Sequence, residues 1–200
     1  MMGNGYLDHS VYCETREDGV KILTSGLNLG PVSNDTNQWL KSWAEKTPDR
    51  IFLAERDDAD NDDGNIWRNV TYADMWTKTR AVAQGLINLG LTPGQHVVVL
   101  SGPSIDHGIL MQACQMIGAV IVPMAEQYAL IPSARARLTY CAEKVGADMV
   151  FAADGDAFAD GLSLPVFDDA IKIVSSGQYE GAVSFADLLT ATPGPELDAV

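Results

Sequence analysis

The pattern of hydrophobic and polar residues predicts alternating helices and strands from residue 71 onward. Thr71 and Asp74 have the spacing of a helix capping box, and Gly90 has the conformational freedom that ends many helices. Between them, apolar residues recur at helical spacing: Tyr72, Trp76, Val82, Ala83, Leu86 and Ile87. Residues 96–100 then form a β-branched run, which is typical of a buried parallel strand.

A second helix and several further elements follow this strand. Ser104 is the predicted N-cap of a helix that ends at Gly118, and residues 119–122 are the next buried strand. The remaining predicted elements are a turn-like connection at 124–130, a helix at 132–145, a strand at 148–152, a short helix at 154–160 capped by Asp154, a strand at 165–167 and a short helix at 184–189. This alternation indicates an α/β fold with a mostly parallel sheet flanked by helices.

A β-hairpin is predicted ahead of the first of these helices. Residues 50–56 and 66–70 alternate in polarity and flank the acidic loop 57–65. Alternating aspartates in this loop raise the hypothesis of a calcium site. An EF-hand needs Gly at its sixth position and Glu at its twelfth, where this sequence has Asp63 and Asn69, so we predict a solvated hairpin tip.

The N-terminal part divides into a polar arm and the start of the α/β subdomain. We predict that residues 1–27 form the arm, with a short strand at 20–23, and that residues 28–200 form the subdomain. Within the subdomain, Asp35 or Thr36 opens a helix that continues to Lys46. Its predicted buried stripe, interpreted as core packing, comprises Trp39, Leu40 and Trp43.

Composition narrows the classes of partner and compartment. The net charge of −14 argues against binding to a nucleic-acid backbone or an anionic membrane. Cys13, Cys114 and Cys141 are widely spaced, with no C-x-x-C motif, which disfavours a zinc site and fits a reducing cytoplasm. The most apolar segment, 109–124, is shorter than the roughly 20 residues of a membrane span, so no membrane span is predicted.

We select candidate site residues by their position in the predicted fold, because the common catalytic and phosphate-binding motifs are missing from the sequence. In open α/β sheets, ligands collect at the carboxyl ends of strands. Ser101, Ser104 and His107 follow one predicted strand, and Gln127 and Tyr128 follow the next. The alternative interpretation is helix capping and turn chemistry. No catalytic residue and no metal ligand is identified among them.

Several stretches resemble a known family. They are T-Y-A-D-M at 71–75, L-G-L-T-P-G-Q-H-V-V-V-L-S-G-P-S-I-D-H at 89–107, G-A-V-I-V-P-M at 118–124, L-G-P at 29–31 and K-T-P-D-R-I-F-L-A-E-R at 46–56. Together they resemble the N-terminal part of the adenylate-forming (AMP-binding) acyl-CoA synthetases, and among these most closely the feruloyl-CoA synthetases. The similarity covers residues 28–155.

This resemblance implies an activity and a set of cofactors. Enzymes of this family join a carboxylic acid to ATP with Mg²⁺, release pyrophosphate, and pass the acyl group from the adenylate to CoA. In the feruloyl branch the acid is a hydroxycinnamate such as ferulate. The family's Ser/Thr/Gly-rich phosphate loop and its catalytic Lys are missing from the sequence, and Ser175-Ser176-Gly177 is the closest stretch to that loop. We therefore expect an N-terminal portion whose partner is the remainder of the synthetase, and which is inactive alone.

Two alternatives remain open at this stage. Residues 124–130 read M-A-E-Q-Y-A-L, where the feruloyl branch has a Ser-Pro-Ala-Tyr-Ser-Leu-like segment. This departure leaves open another acid, such as a fatty, aryl or amino acid. The other alternative is a stand-alone, non-catalytic α/β module that binds a partner or a small ligand.

Overall fold

The structure is a computed structural model that describes residues 10–30, 32–33, 35–56 and 67–198. The chain divides into two compact units, Met1–Asn34 and Asp35–Val200. In the first unit, strands β1 (Val11–Thr15) and β2 (Lys21–Ser25) form an antiparallel hairpin. The strand predicted at 20–23 corresponds to β2, whereas β1 was not predicted. The sequence signal for this hairpin is the turn at Asp18 and Gly19, where Gly19 has a φ of +83°.

The second unit contains seven strands and seven α-helices among the described residues. Its strands are β3 (Ile51–Arg56), β4 (Trp67–Thr71), β5 (His96–Val99), β6 (Val120–Pro123), β7 (Met149–Asp154), β8 (Ile171–Ser176) and β9 (Val183–Ser184). Its helices are α1 (Asn37–Lys46), α2 (Tyr72–Asn88), α3 (Ile105–Ile117), α4 (Gln127–Leu130), α5 (Arg135–Val145), α6 (Ala159–Leu162) and α7 (Phe185–Leu188). Three short 3₁₀ turns are at Pro132–Ala134, Pro165–Phe167 and Pro195–Asp198.

Local side-chain chemistry fixes the ends of α2 and α3 as predicted. The Thr71 hydroxyl accepts the Asp74 N–H at 3.1 Å, and the Asp74 carboxylate accepts the Thr71 N–H at 3.2 Å. The Ser104 hydroxyl accepts the His107 N–H at 3.1 Å, and α3 ends at Gly118 with a left-handed φ of +78°. These contacts satisfy backbone groups that a helix end otherwise leaves without partners.

The five strands β6-β5-β7-β8-β9, in that order, form one parallel sheet. The predicted α/β class with a mostly parallel, helix-flanked sheet is confirmed. Successive side chains of a strand point to opposite faces. Accordingly Val97 and Val99 of β5 pack in one core with α2 and α3, while Val98 and Leu100 pack in a second core with α4, α5 and α6. The sheet therefore separates two hydrophobic cores.

The predicted hairpin is also present ahead of α2. β3 pairs antiparallel with β4, from Ile51 opposite Thr71 to Arg56 opposite Trp67. The acidic loop 57–65 and its calcium hypothesis lie outside the described residues. No helix in the described part of the chain is long and apolar enough to cross a membrane.

The predicted buried stripe of α1 is wrong in two of its three residues. Leu40 is 4% exposed, but Trp39 and Trp43 are 61% and 47% exposed. The stripe that faces α2 and α3 contains Asn37 and Leu40, which are separated by the i, i+3 spacing of one helix face. The two tryptophans lie to the side of this face.

Two other predicted elements are corrected. The segment 124–130, predicted as a turn-like connection, contains helix α4, and residues 165–167, predicted as a strand, form a 3₁₀ turn with Pro165 in its first position. The next strand is β8, which was missed because Lys172 interrupts its apolar run. The Lys172 ammonium donates to the Phe167 and Asp168 carbonyls, so its aliphatic stem lies along the sheet.

Candidate functional site at the carboxyl ends of the parallel strands

The strand order places a crevice at the carboxyl end of β5. The connection through α3 leads from β5 to β6 on one side, whereas the next connection crosses to β7 on the other side. Connections that diverge from a central strand leave a crevice at its carboxyl end, where α/β proteins bind ligands. Ser101 and Gly102 directly follow β5, so they lie at this switch point.

Ser101 has the burial of a core residue and a hydroxyl without a partner. Its exposure is 3%, and its Oγ has no hydrogen-bond partner among the described residues. A buried polar atom without a partner destabilises a fold unless some other group satisfies it. Capping does not explain this side chain, because Ser104 performs that role for α3. Of the predicted site residues, Ser101 is thus the one that a capping interpretation fits least.

His107 is held by the loop that precedes its own helix. Its Nδ1 lies 3.3 Å from the Gly102 carbonyl oxygen, and its backbone N–H is bound by Ser104. Since a carbonyl can only accept, Nδ1 carries the proton in this contact. Nε2 is then left as an acceptor in the neutral ring, or as a donor when the ring is protonated.

Glu126 is a further candidate residue, which the sequence analysis did not name. A Cβ placed on Gly102 would lie 2.8 Å from the Glu126 Oε2, so the carboxylate rests against the Gly102 backbone. Glu126 precedes α4, and its Oε1 accepts a hydrogen bond from the Gln127 side chain at 3.3 Å. The signal available was its position after β6, at the same edge of the sheet as Ser101.

The structure brings most, but not all, of the predicted residues together around Gly102. We define the strand-end cluster as Ser101, Gly102, Ser104, His107 and Glu126. Tyr128 is half-buried and its ring packs on the core formed with α4, α5 and α6. Gln127 is exposed and reaches the cluster only through its bond to Glu126.

The β3–β4 hairpin anchors the helix that carries His107. The Glu55 carboxylate accepts the Ile105 N–H at 2.5 Å, at the first turn of α3. Arg68 Nη2 lies 2.5 Å from Glu55 and 3.5 Å from Asp106. These contacts join two strands to the beginning of α3, and they fix the position of the loop that contains Ser101 and Ser104.

The stretch Ser175-Ser176-Gly177 does not fit a bound phosphate. Ser176 Oγ donates to the Ala153 carbonyl, and Asp156 accepts the Gln178 N–H at 3.0 Å. A Cβ on Gly177 would lie within 2.8 Å of carboxylate oxygens from both Asp154 and Asp156. Two carboxylates repel a phosphate at this distance. Within the described ranges, no cluster of three His, Cys, Asp or Glu side chains could hold a metal ion.

A parallel α/β sheet with polar side chains gathered at its switch point defines a class of ligand-binding α/β domains. The chain matches the AMP-binding enzyme family over residues 40–195, and it belongs to this family. It is 40% identical over 82 residues to the long-chain-fatty-acid–CoA ligase FadD15 of Mycobacterium bovis, a match that covers 38% of the chain and 14% of that ligase. It is 41% identical over 59 residues to acetyl-coenzyme A synthetase of Thiobacillus denitrificans, covering 30% and 9% respectively.

Solved structures resemble the chain over most of its length. Acetoacetyl-CoA synthetase from Streptomyces lividans superposes with a TM-score of 0.66 at 17% identity, over 80% of this chain and 26% of that one. The luciferase-like enzyme from the nonluminescent mealworm Zophobas morio gives 0.65 at 20% identity, over 84% and 38%. At these identities the likeness shows the fold alone. The chain spans well under half the length of each of these relatives.

Proposed function

We propose that this chain is part of an ATP-dependent acid–CoA ligase, which forms an acyl-adenylate and then an acyl-CoA thioester. The observation that carries the proposal is the family match over residues 40–195. The curated relatives named above are CoA ligases or synthetases. ATP, Mg²⁺ and CoA are the cofactors that this reaction requires.

The stretch that comes closest to a phosphate loop is unsuited to the ATP phosphates. The nearest candidate, Ser175-Ser176-Gly177, lies against two aspartates, and the 82-residue match to the fatty-acid ligase relative covers 14% of that ligase. The phosphate and metal contacts are therefore assigned to the remainder of the ligase polypeptide, which is the proposed partner of this domain. The role of the described residues is to build the sheet and to shape the crevice at its carboxyl edge.

A hydroxycinnamate is the proposed acid, on the resemblance of residues 28–155 to the feruloyl-CoA synthetases. A fatty acid is the second candidate, because the Mycobacterium bovis relative is named as a long-chain-fatty-acid–CoA ligase and is 40% identical over 82 residues. The segment 124–130, which departs from the pattern of the feruloyl branch, follows β6 and contributes Glu126 to the strand-end cluster. Its carboxylate would repel the carboxylate of any acid bound beside it, so it does not by itself favour a hydroxycinnamate over a fatty acid.

The experiment for the activity is acid-dependent pyrophosphate release by the full-length ligase. Ferulate, coumarate and caffeate are compared with palmitate at equal ATP, Mg²⁺ and CoA. Release that depends on a hydroxycinnamate supports the first candidate, and release with palmitate alone supports the second. If none of the carboxylic acids causes pyrophosphate release, the remaining alternative is the non-catalytic α/β module that binds a partner or a small ligand. In ATP–pyrophosphate exchange, the 200-residue chain is expected to give background rates.

The strand-end cluster has its own test in the full-length ligase. His107→Gln and Ser101→Ala are compared with His96→Gln. His96 begins β5, at the opposite edge of the sheet, with Nδ1 4.0 Å from Asp148. If the cluster contacts a ligand, the first two variants raise KM or lower kcat about tenfold or more, the loss expected for one hydrogen bond to substrate. If His107→Gln and His96→Gln have equal effects, the strand-end cluster is not part of the ligand-binding site.

A further inference from the structure

An aromatic cavity lies at the surface between α1, β3 and the beginning of α2, with α3 behind it. Its volume is ≈ 290 Å³. Its lining combines the buried Leu40 with the four rings of Trp39, Trp43, Phe52 and Tyr72. We define these five residues as the aromatic socket.

The rings of the aromatic socket are packed against one another. The centre of the Tyr72 ring lies 6.3 Å from that of Trp43 on α1, and 5.0 Å from that of Phe52 on β3 in an edge-on contact. Such ring pairs are stabilising beyond the area that they bury. Because they join three separate elements, the walls of the aromatic socket are already in place in this chain.

Two of these rings are far more exposed than tryptophans usually are. Trp39 is 61% exposed and Trp43 is 47% exposed, and their i, i+4 spacing places them on the same side of α1. Tryptophan is highly buried on average in folded proteins. Together the two indoles leave roughly 150–250 Å² of mainly apolar surface in contact with water. Exposed aromatic surface beside a cavity is typical of interaction sites.

The chemistry of the cavity fits an apolar partner. None of the eight described residues that line it is charged, although the sequence has 13 basic and 27 acidic residues. Thr36 Oγ1 donates to Gln115 Oε1 at 2.6 Å, so this polar pair in the lining is already satisfied. Lys46 lies outside the lining, with its ammonium 5.7 Å from the centre of the Trp43 ring. Aromatic residues without charges are typical of the core of a protein interface.

The length of the relatives indicates which partner covers the aromatic socket. A small molecule that fits this cavity covers only part of two exposed indoles, whereas a segment of polypeptide covers them from outside. The structural match spans 38% of the mealworm enzyme and 26% of acetoacetyl-CoA synthetase, so most of the polypeptide of these relatives lies outside it. A segment of the same polypeptide is present at about millimolar effective concentration, which favours it over a second copy.

We propose that the aromatic socket is a docking surface for the remainder of the ligase polypeptide, a segment of which inserts an apolar side chain into the cavity and covers Trp39 and Trp43. This docking rests on the proposed function, because it takes the chain to be part of a longer ligase. It adds the surface through which this domain meets the rest of that polypeptide.

The test is hydroxyl-radical oxidation of the full-length ligase and of the 200-residue chain, read by peptide mass spectrometry. Oxidation of Trp39 and Trp43 should be at least about fivefold slower in the ligase, because residues in the core of an interface lose nearly all contact with water. Tyr140 is the control, since it is 62% exposed on α5, away from the aromatic socket. Its oxidation rate should be the same in both proteins.

A variant separates docking from folding. In the 200-residue chain Trp39→Glu changes an exposed helical position to a good helix former, so the chain should keep its circular dichroism spectrum and its Trp43 oxidation rate. In the ligase a carboxylate in an apolar contact should release the docked segment, and Trp43 should then oxidise as fast as in the chain. Tyr140→Glu is the matched control and should leave Trp43 protected. If the Trp39→Glu ligase does not fold, the unaltered ligase and chain still decide the question.

The proposal is overturned if Trp39 and Trp43 oxidise equally fast in the ligase and in the chain, or if Tyr140 is protected as strongly as they are. Protection that develops in the 200-residue chain as its concentration is raised would identify a second copy as the occupant, and would also overturn it. Acid-dependent pyrophosphate release is measured on the same ligase. Release without protection refutes the docking alone, and protection without release refutes the ligase function alone.

Discussion

The contact between Glu55 and the beginning of α3 gives the sharpest test of how this domain is held together. Glu55 accepts the Ile105 N–H at 2.5 Å and pairs with Arg68 at 2.5 Å. It is thus a carboxylate from β3 placed at the positive end of a helix that begins 50 residues later. We predict that Glu55→Ala destabilises the domain and that Glu55→Gln does so less.

The magnitude follows from the two contacts. A hydrogen bond to a charged acceptor contributes about 1.5–3 kcal/mol, and a partly exposed ion pair about 0.2–1 kcal/mol. The side chains of Arg68 and Glu55 are 45% and 30% exposed, so the lower part of each range applies. Glu55→Ala should therefore cost about 2–3 kcal/mol, or about 4–12 °C in Tm for a chain of this size. Glu55→Gln keeps an acceptor for the Ile105 N–H and should cost about 1 kcal/mol.

The assay is urea unfolding of the purified chain, followed by circular dichroism at low and high salt. Glu143→Ala is the control, because Glu143 is an exposed carboxylate on α5. It should change stability by less than about 0.5 kcal/mol. Salt should reduce the cost of both variants by a similar amount, because both remove the ion pair with Arg68, and therefore by a larger fraction for Glu55→Gln.

Two results would refute this reasoning. If Glu55→Ala costs no more than Glu143→Ala, the hairpin does not hold α3. If Glu55→Gln costs as much as Glu55→Ala, all of the stabilisation comes from the charge of the carboxylate, and a neutral acceptor for the Ile105 N–H contributes nothing.

Three further predictions concern single residues. Hydrogen bonds from the Thr71 hydroxyl and backbone N–H hold the pKa of Asp74 below its ordinary value of 3.8. Asp74→Ala should therefore lower the free energy of unfolding by about 0.3–1 kcal/mol at pH 7. This loss of stability should vanish as the pH falls through the lowered pKa. Burial raises the pKa of Cys114 to about 12, so iodoacetamide at pH 8 should label the exposed Cys13 and reach Cys114 only in urea, as peptide mass spectrometry would show. Gly118→Ala should cost about 1–2 kcal/mol in urea unfolding, because φ is +78° there.

Each of these predictions has an opposite result that would count against it. A cost of Asp74→Ala that stays constant down to pH 2 would mean that its charge contributes nothing. Labelling of native Cys114 at the rate of Cys13 would contradict its burial. A neutral Gly118→Ala would mean that α3 ends without a left-handed residue, since a Cβ there would meet Pro93 only at 3.5 Å.

The strand-end cluster shows how far position along the chain can predict a site. The sequence places Ser101 and His107 after one strand, and in the structure they lie beside Gly102. The sequence could not show that Glu126 touches Gly102, because that contact requires β6 to pair directly with β5. Nor could it show that the Tyr128 ring turns toward the core, since helix α4 was predicted as a turn.

What the sequence determined by itself are the features set by short-range chemistry. The Thr71 and Ser104 caps, the helix ends at Gly90 and Gly118, and the β-branched strand β5 all depend on residues a few positions apart, so their signals are local. The α/β class follows from the alternation of these elements.

Only the tertiary structure decided which partners these elements meet. The exposure of Trp39 and Trp43, the charge contact of Glu55 with α3 and the unpaired amide of Asn37 depend on packing between elements far apart in sequence. A helix sequence shows that one face is apolar, but not which part of that face a neighbour covers, because coverage depends on the direction from which the neighbour packs.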